Sequence, residues 1–227
     1  MNKIIELLQH QKLVWRGSST LGSSLKSVAT GFSELDHHLN GGFSIGVNEI
    51  QTSYGIGELR LLLPLFKEAI SEERLVVFVN SFGIVSAEAL AHYGLPLDNF
   101  LLINPERWQE VLWAAEHCLR SGACHTLVMW ADQPLELHQA KRLQIACETG
   151  NSLLFVLQES SAASVGLPLE LSLSLAPQQQ GLSARINKRK LGWPSSPFSI
   201  DMTNQWPALT IPNKADNVIE FPQIKAG

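Results

Sequence analysis

The chain is short of covalent braces and short of positive charge. Its 227 residues hold three cysteines, Cys118, Cys124 and Cys147, an odd number at wide spacing with no C-x-x-C pair. That excludes a disulfide framework and points to a reducing compartment, the cytoplasm. Against 21 Asp and Glu stand only 17 Lys and Arg, for a net charge of −4 and a pI near 6. No global positive field recruits nucleic acid, so a DNA contact must be local or made through a partner. Long apolar runs are missing too: no stretch approaches the roughly 20 residues needed to span a bilayer. The opening Met1-Asn2-Lys3-Ile4-Ile5-Glu6 has no signal-peptide core. The expectation is a soluble, intracellular protein with no membrane role.

What is present is enough for a core. Hydrophobic residues make up 45% of the chain, and the length suits one domain with an appendage. Ile4, Ile5, Leu7, Leu8, Leu13, Val14 and Trp15 fall largely on one face of a helix expected over about residues 2–15. Arg16 to Ala29, rich in Ser and Gly, reads as a flexible linker. A helix tethered in this way docks on its own core or on another protein.

Thr30 to Asp36 opens a helix that runs to the turn Asn40-Gly41-Gly42. Val47 to Gln51 is the first core strand, and Leu59 to Ile70 is a helix with little polar face. Pro64 in that helix sits near the first turn or kinks it. Strands at Leu75–Val79, Phe100–Ile103, Thr126–Trp130 and Leu153–Leu157 then alternate with helices at Ser86–Tyr93, Arg107–Ser121 and Leu137–Thr149, closed by Gly94, Gly122 and Gly150. Short apolar strands separated by such helices give an α/β fold, a mainly parallel sheet covered on both faces. After Gln158 the period changes to two: Leu169, Leu171, Leu173 and Leu175, then Leu182, Ala184 and Ile186 beyond a turn at Pro177–Gly181. This is a hairpin that extends the sheet in antiparallel fashion. From about Lys188, prolines 194, 197, 207, 212 and 222 with little periodicity predict an irregular or disordered tail. The division is a leading helix and linker at 1–27, a core at 28–193 and a tail at 194–227.

Between the first core strand and its helix lies Thr52-Ser53-Tyr54-Gly55-Ile56-Gly57-Glu58-Leu59. It occupies the place of a phosphate-binding loop, G-x-x-x-x-G-K-[ST], whose glycines let backbone N–H groups cradle phosphates while the lysine neutralises them and the hydroxyl holds Mg²⁺. Aligned by position, the first glycine is Thr52, Gly57 remains, the lysine is Glu58 and the hydroxyl residue is Leu59. A carboxylate there repels a triphosphate, and a leucine cannot hold the metal. The alternative is an ordinary strand, turn and helix with an incidental Gly-x-Gly. Glu58 either pairs with Arg60 in the old pocket or opens a solvated helix.

Other chemistry finds less footing. His117-Cys118 and Cys124-His125 fit no standard zinc spacing, His37-His38 are expected to face solvent, and no G-x-S-x-G elbow occurs. Arg185, Lys188, Arg189 and Lys190, followed by Trp193, form the one local basic cluster. It either guards a sheet edge against pairing or contacts a nucleic-acid backbone or an acidic partner.

In order and spacing, the punctuation from Val28 to Leu135 resembles the core of the RecA recombinase. The pieces are Thr30-Gly31 with Leu35-Asp36, Gly41-Gly42 before a strand, the loop at Thr52 to Leu59, Val77-Phe78-Val79, the run from Ala91 to Leu102, and Leu119-Arg120-Ser121-Gly122-Ala123. Within RecA-like proteins the pattern is similar to ImuA, the accessory family of mutagenic translesion synthesis. Gly55 to Pro64, Leu112 to Glu116, Leu119 to Cys124, Arg142-Leu143-Gln144, Lys188-Arg189-Lys190 and the leading helix ending in Leu13-Val14-Trp15-Arg16-Gly17 carry that likeness.

The resemblance implies a RecA-like mainly parallel sheet with helices on both faces, an antiparallel hairpin extension and an N-terminal docking helix. It places the P-loop lysine on Glu58, the metal hydroxyl on Leu59, the water-activating glutamate on Phe82 and the Walker B aspartate on Trp130, with Asp132 two residues further. Cradle, metal and positioned water are then all missing, which implies no catalysis, no cofactor and no metal. The implied role is a scaffold in the SOS DNA-damage response, working with an ImuB-like hub protein, an error-prone polymerase and RecA itself. Leu7, Leu8 and Trp15 on the leading helix and Arg185, Lys188, Arg189, Lys190 and Trp193 are its candidate partner or DNA surfaces. Two alternatives stand beside it. The Gly-Glu-Leu-Arg-Leu-Leu-Leu-Pro type of helix start also resembles the division inhibitor SulA, which implies the tubulin-like FtsZ as partner; an ATPase with an unconventional loop is the enzyme alternative.

Overall fold

The structure, a computed structural model, describes residues 27–159 and 166–207. The helix expected over 2–15, with Leu7, Leu8 and Trp15, most of the linker and the end of the tail lie outside the described residues.

In chain order the elements are β1 (Ser27–Val28), α1 (Ser33–Leu39), β2 (Phe43–Ser44), β3 (Gly46–Gln51), α2 (Glu58–Ser71), β4 (Leu75–Val79), α3 (Ala87–His92), a 3-10 turn (Leu97–Asn99), β5 (Phe100–Ile103), α4 (Trp108–Arg120), β6 (Cys124–Trp130), α5 (Leu137–Gly150), β7 (Leu153–Gln158), β8 (Leu171–Gln178), β9 (Gly181–Arg189) and β10 (Phe198–Asp201). Eight strands form one sheet in the order β10-β9-β8-β3-β7-β6-β4-β5. From β8 to β5 every neighbour is parallel, while β8, β9 and β10 pair antiparallel. The expected mainly parallel sheet flanked by helices is therefore present.

Side-chain alternation along the strands builds two cores. Ile50, Phe78, Val128, Phe155 and Leu173 point to the face that carries α1 and α2, with Leu35, Leu62 and Phe66. Val47, Val77, Leu127 and Leu154 point to the other, with Val111 and Leu119 of α4 and Leu143 of α5. Strands β6 and β7 are buried along their whole length, which is why they read as unbroken apolar runs.

Several expectations need correction. Pro64 stands inside α2, as its seventh residue, not in its first turn. Leu61, Leu62, Leu65 and Phe66 around it are fully buried, and packing of that face outweighs one missing donor. Ser27 and Val28, assigned to the linker, pair with Ser44 and Phe43. The residue that leaves α5 in the left-handed conformation is Asn151, with φ of 51°. Gly150 is helical, and it must be glycine because a Cβ there would lie 1.8 Å from the Leu119 carbonyl oxygen. The hairpin does extend the sheet, but β8 joins β3 in parallel and only β9 runs against it.

The tail is not irregular at its start. Phe198 to Asp201 form β10 along β9, and Ile200, Met202 and Trp206 are buried. Pro194 and Pro197 sit in the connection, and four residues carry too little alternation to outweigh them.

Candidate functional site

The loop after β3 is anchored before it turns. Thr52 is buried, and its amide donates to the Gln158 carbonyl at 2.9 Å, prolonging the β3–β7 ladder. Gly55 and Gly57 then take φ of +85° and +109°, conformations open to glycine at little cost. Gly57 caps α2 with no side chain to offer, and the loop amides that precede the helix need an acceptor.

Glu58 supplies it. Although it is the first helical residue, Glu58 is only 5% exposed. Its carboxylate folds back over the loop, accepting from the Gly55 amide at 3.0 Å and the Gly57 amide at 3.1 Å. Negative charge at a helix N-terminus is favourable, and amides gathered there are what binds an external anion in other loops. Here the chain's own anion takes them. Neither sequence alternative for Glu58 describes this arrangement: the residue is not solvated, and its acceptor oxygens face backbone amides. The Arg60 guanidinium instead covers Gly57, with a nitrogen 2.5 Å from where a Gly57 Cβ would stand. Leu59 is partly buried and packs against the core.

The other aligned positions gather around this loop. Trp130 is 3% exposed and packs on Phe78, ring centroids 5.9 Å apart. Its carbonyl accepts from Asn80 Nδ2 at 2.9 Å, and the same nitrogen donates to Asp132 Oδ2 at 3.0 Å. Phe82 is exposed, and its ring rests on Tyr54 at 4.8 Å. The Tyr54 phenol is raised above its ordinary pKa, by burial above all, then by the Glu159 and Asp132 carboxylates and least by Glu58, against a hydrogen bond with the Glu159 backbone. Thus the ends of β3, β4, β6 and β7 bring Tyr54, Glu58, Phe82, Asp132 and Glu159 to one place.

Tyr54, Asn80 and Glu159 escaped sequence reasoning. The one signal was Asn80 directly after an apolar strand: its φ is +55°, a conformation Asn tolerates better than most residues. A buried acid was also missed. Glu49, on the sheet face opposite α2, accepts from Gln158 Nε2 at 2.6 Å, from Gln51 Nε2 at 3.1 Å and from the Ser172 hydroxyl.

The basic cluster does not form one surface. Arg189 donates to the carbonyls of His38 and Leu39, at 2.9 and 2.7 Å, at the end of α1; burial lowers its pKa. Lys190 pairs with the buried Glu170, and Lys188 donates to the Leu167 carbonyl. Arg185 is exposed on β9, and Trp193 is 89% exposed in the loop before β10. β10 pairs with β9 only from Gly181 to Ala184, so Arg185 to Arg189 lie on the part of β9 that β10 does not cover. Nor do both histidines of His37-His38 face solvent: the His38 ring stacks on Phe198 at 3.8 Å.

Among the described residues, one group has metal-ligand spacing: Glu68 on α2 and Glu72 just after it, with His125 on β6, ligand atoms within 4.8 Å of one another. Glu72 already meets a cation, Arg74, at 3.4 Å. The cysteines beside the histidines take no part: Cys124 is buried, with its thiol pushed up to about 12 by burial, and His125 Nδ1 meets the Thr126 hydroxyl at 2.8 Å. No helix among the described residues is long and apolar enough to cross a membrane.

Comparison with known proteins gives two relationships. Residues 48–154 match the family described as "Cell division inhibitor SulA". A SulA of Photorhabdus laumondii is 31% identical over 99 residues, 44% of this chain and 55% of that protein. A RecA of Borreliella afzelii is 27% identical over 142 residues, 62% of this chain and 38% of that protein. The chain thus spans about half, or less, of the length of these curated relatives. The crystal structure of SulA from Pseudomonas aeruginosa aligns with a TM-score of 0.43 at 25% identity, covering 50% of this chain and 98% of that one. The central segment is similar to SulA, and a longer stretch is similar to RecA.

Proposed function

We propose that this chain is a non-catalytic protein of the SOS DNA-damage response, a RecA-like core that has given up its nucleotide and works by contact with other proteins. The observation that carries the reading is the Glu58 carboxylate on the Gly55 and Gly57 amides. A triphosphate would have to displace that carboxylate and then lie beside its charge. Phosphoryl transfer also needs a metal and a positioned water, and the aligned positions for these hold Leu59, Phe82 and Trp130. Calorimetric titration with millimolar MgATP, together with a phosphate-release assay, tests it. Neither binding nor turnover is expected; nucleotide ordered between the loop and the end of β6 would end the reading.

For partners, we favour an ImuB-like hub protein and an error-prone polymerase, with RecA as a further contact. Strands β8 to β10 lie beyond residues 48–154, and the RecA likeness is longer than the SulA one. The second reading is a division inhibitor that binds FtsZ, favoured by the family matched at residues 48–154. Two phenotypes separate them: loss of damage-induced mutation on deleting the gene supports the first, and a septation block on overexpression supports the second.

A further inference from the structure

The surface over the closed loop is apolar and acidic at once. Phe82 and Ile84, in the connection between β4 and α3, are 69% and 97% exposed, although folding normally hides such side chains. Phe82 packs on Tyr54 with the two rings tilted, and the charges that act on the Tyr54 hydroxyl are all acidic: Glu159, Asp132 and Glu58. Glu58 is answered by backbone amides, and Asp132 receives one hydrogen bond from the uncharged Asn80. Asp132 and Glu159 are themselves exposed.

We propose that this surface docks a protein segment carrying an arginine or lysine beside an apolar side chain. The cation enters between Asp132 and Glu159 against the Tyr54 ring, and the apolar group covers Phe82 and Ile84. The proposal rests on the reading of the chain as one whose loop is closed to nucleotide and that works by protein contact, and it names the chemistry of what is contacted. Charge complementarity chooses the occupant. Two exposed carboxylates close enough to act on the Tyr54 hydroxyl favour a cation, and a neighbouring aromatic ring favours arginine above lysine. The same carboxylates disfavour a phosphate backbone. Exposed adjoining apolar side chains mark a protein contact more often than a solvated surface.

The test uses the full chain and three fluorescein-labelled synthetic peptides, Gly-Leu-Arg-Leu-Arg-Leu-Gly and its counterparts with Glu or Gln at both Arg positions, read by fluorescence anisotropy at about 0.1 M salt. The Arg peptide is expected to bind at least about tenfold tighter than the Gln peptide, with the Glu peptide weakest. Asp132→Lys with Glu159→Lys should reverse that order. Phe82→Ala with Ile84→Ala should weaken the Arg peptide by about tenfold, with the thermal midpoint kept as a check on folding. Indifference to peptide charge, or unchanged binding in both double variants, overturns the proposal. Equal competition by a synthetic peptide of residues 1–26, which carries Trp15-Arg16, would place the occupant in this chain itself and overturn its assignment to another protein. MgATP is added to the wild-type mixture as a separate arm: displacement of the peptide by nucleotide would sink the reading of the loop, whereas failure of peptide selectivity without displacement sinks only the docking assignment.

Discussion

Glu58 and Gly55 are joined by a hydrogen bond that runs forwards along the chain, from the Gly55 amide to a carboxylate three residues later, at 3.0 Å. With the Gly57 bond beside it, this contact closes the loop from within. Glu58→Ala strands both amides and should cost about 1–3 kcal/mol of folding stability in urea titration. Glu58→Gln, which keeps an acceptor but no charge, should fall between. The alanine variant should also gain what the wild type lacks, a rise in thermal midpoint on adding inorganic phosphate, since the amides then face an open anion site. Equal stabilisation of both proteins by phosphate would refute the internal-anion account.

Gly150 is where α5 passes under the end of α4. An added Cβ would overlap the Leu119 carbonyl oxygen at 1.8 Å, and neither backbone can retreat without disturbing the helix it belongs to. Gly150→Ala should therefore cost about 3 kcal/mol or more. Gly122→Ala is the control. Its Cβ meets nothing within 4 Å while φ is +76°, so conformational strain alone applies, at about 1–2 kcal/mol. Chemical denaturation of the two variants side by side checks the difference.

Much of the fold was legible because the relevant signals are local. Leu75–Val79 and Phe100–Ile103 coincide with β4 and β5, since short apolar runs between turn residues admit few other readings. Strand β10 was not legible: four residues beside two prolines carry too little alternation, and what orders them is the β9 edge they cover. At the site, the wrong residue in the lysine position was plain from spacing. The direction of the Glu58 carboxylate was not, because it depends on Gly55 and Gly57 adopting positive φ. The meeting of Tyr54 with Glu159 follows from β3 and β7 being neighbours in the sheet, which no spacing along the chain encodes. The basic cluster misled for a related reason: adjacent cations in sequence were sent to different acceptors by the alternation of β9 and the turn that follows it.

Arg189 and Arg185 separate a structural from a binding role for those cations. Arg189 caps the last carbonyls of α1, where a cation is favoured. Arg189→Ala should cost about 1–3 kcal/mol, while the exposed Arg185→Ala should stay within about 0.5 kcal/mol. If DNA or an acidic partner uses this side of the sheet, Arg185→Ala is the variant that should weaken it without lowering the thermal midpoint. A destabilised Arg185→Ala would remove that distinction.

His125 should make stability fall on mild acidification. It is 4% exposed, and burial holds its pKa below the ordinary 6.5; Arg74 acts in the same direction and Glu72, with Oε2 3.9 Å from Nε2, against it. The folded chain thus resists a proton that the unfolded chain accepts near 6.5. Stability is complete above that pH and is lost as the pH falls below it toward the folded-state pKa. Glu68, facing the same pocket, works the other way: burial and then Glu72 raise its pKa, so it takes up its proton more readily folded than unfolded and offsets part of the loss at lower pH. His125→Gln removes the first contribution and leaves the second. The thermal midpoint of the wild type should therefore drop more than that of the variant between about pH 7.5 and pH 5.5, and parallel curves over that range would show that His125 titrates alike in both states.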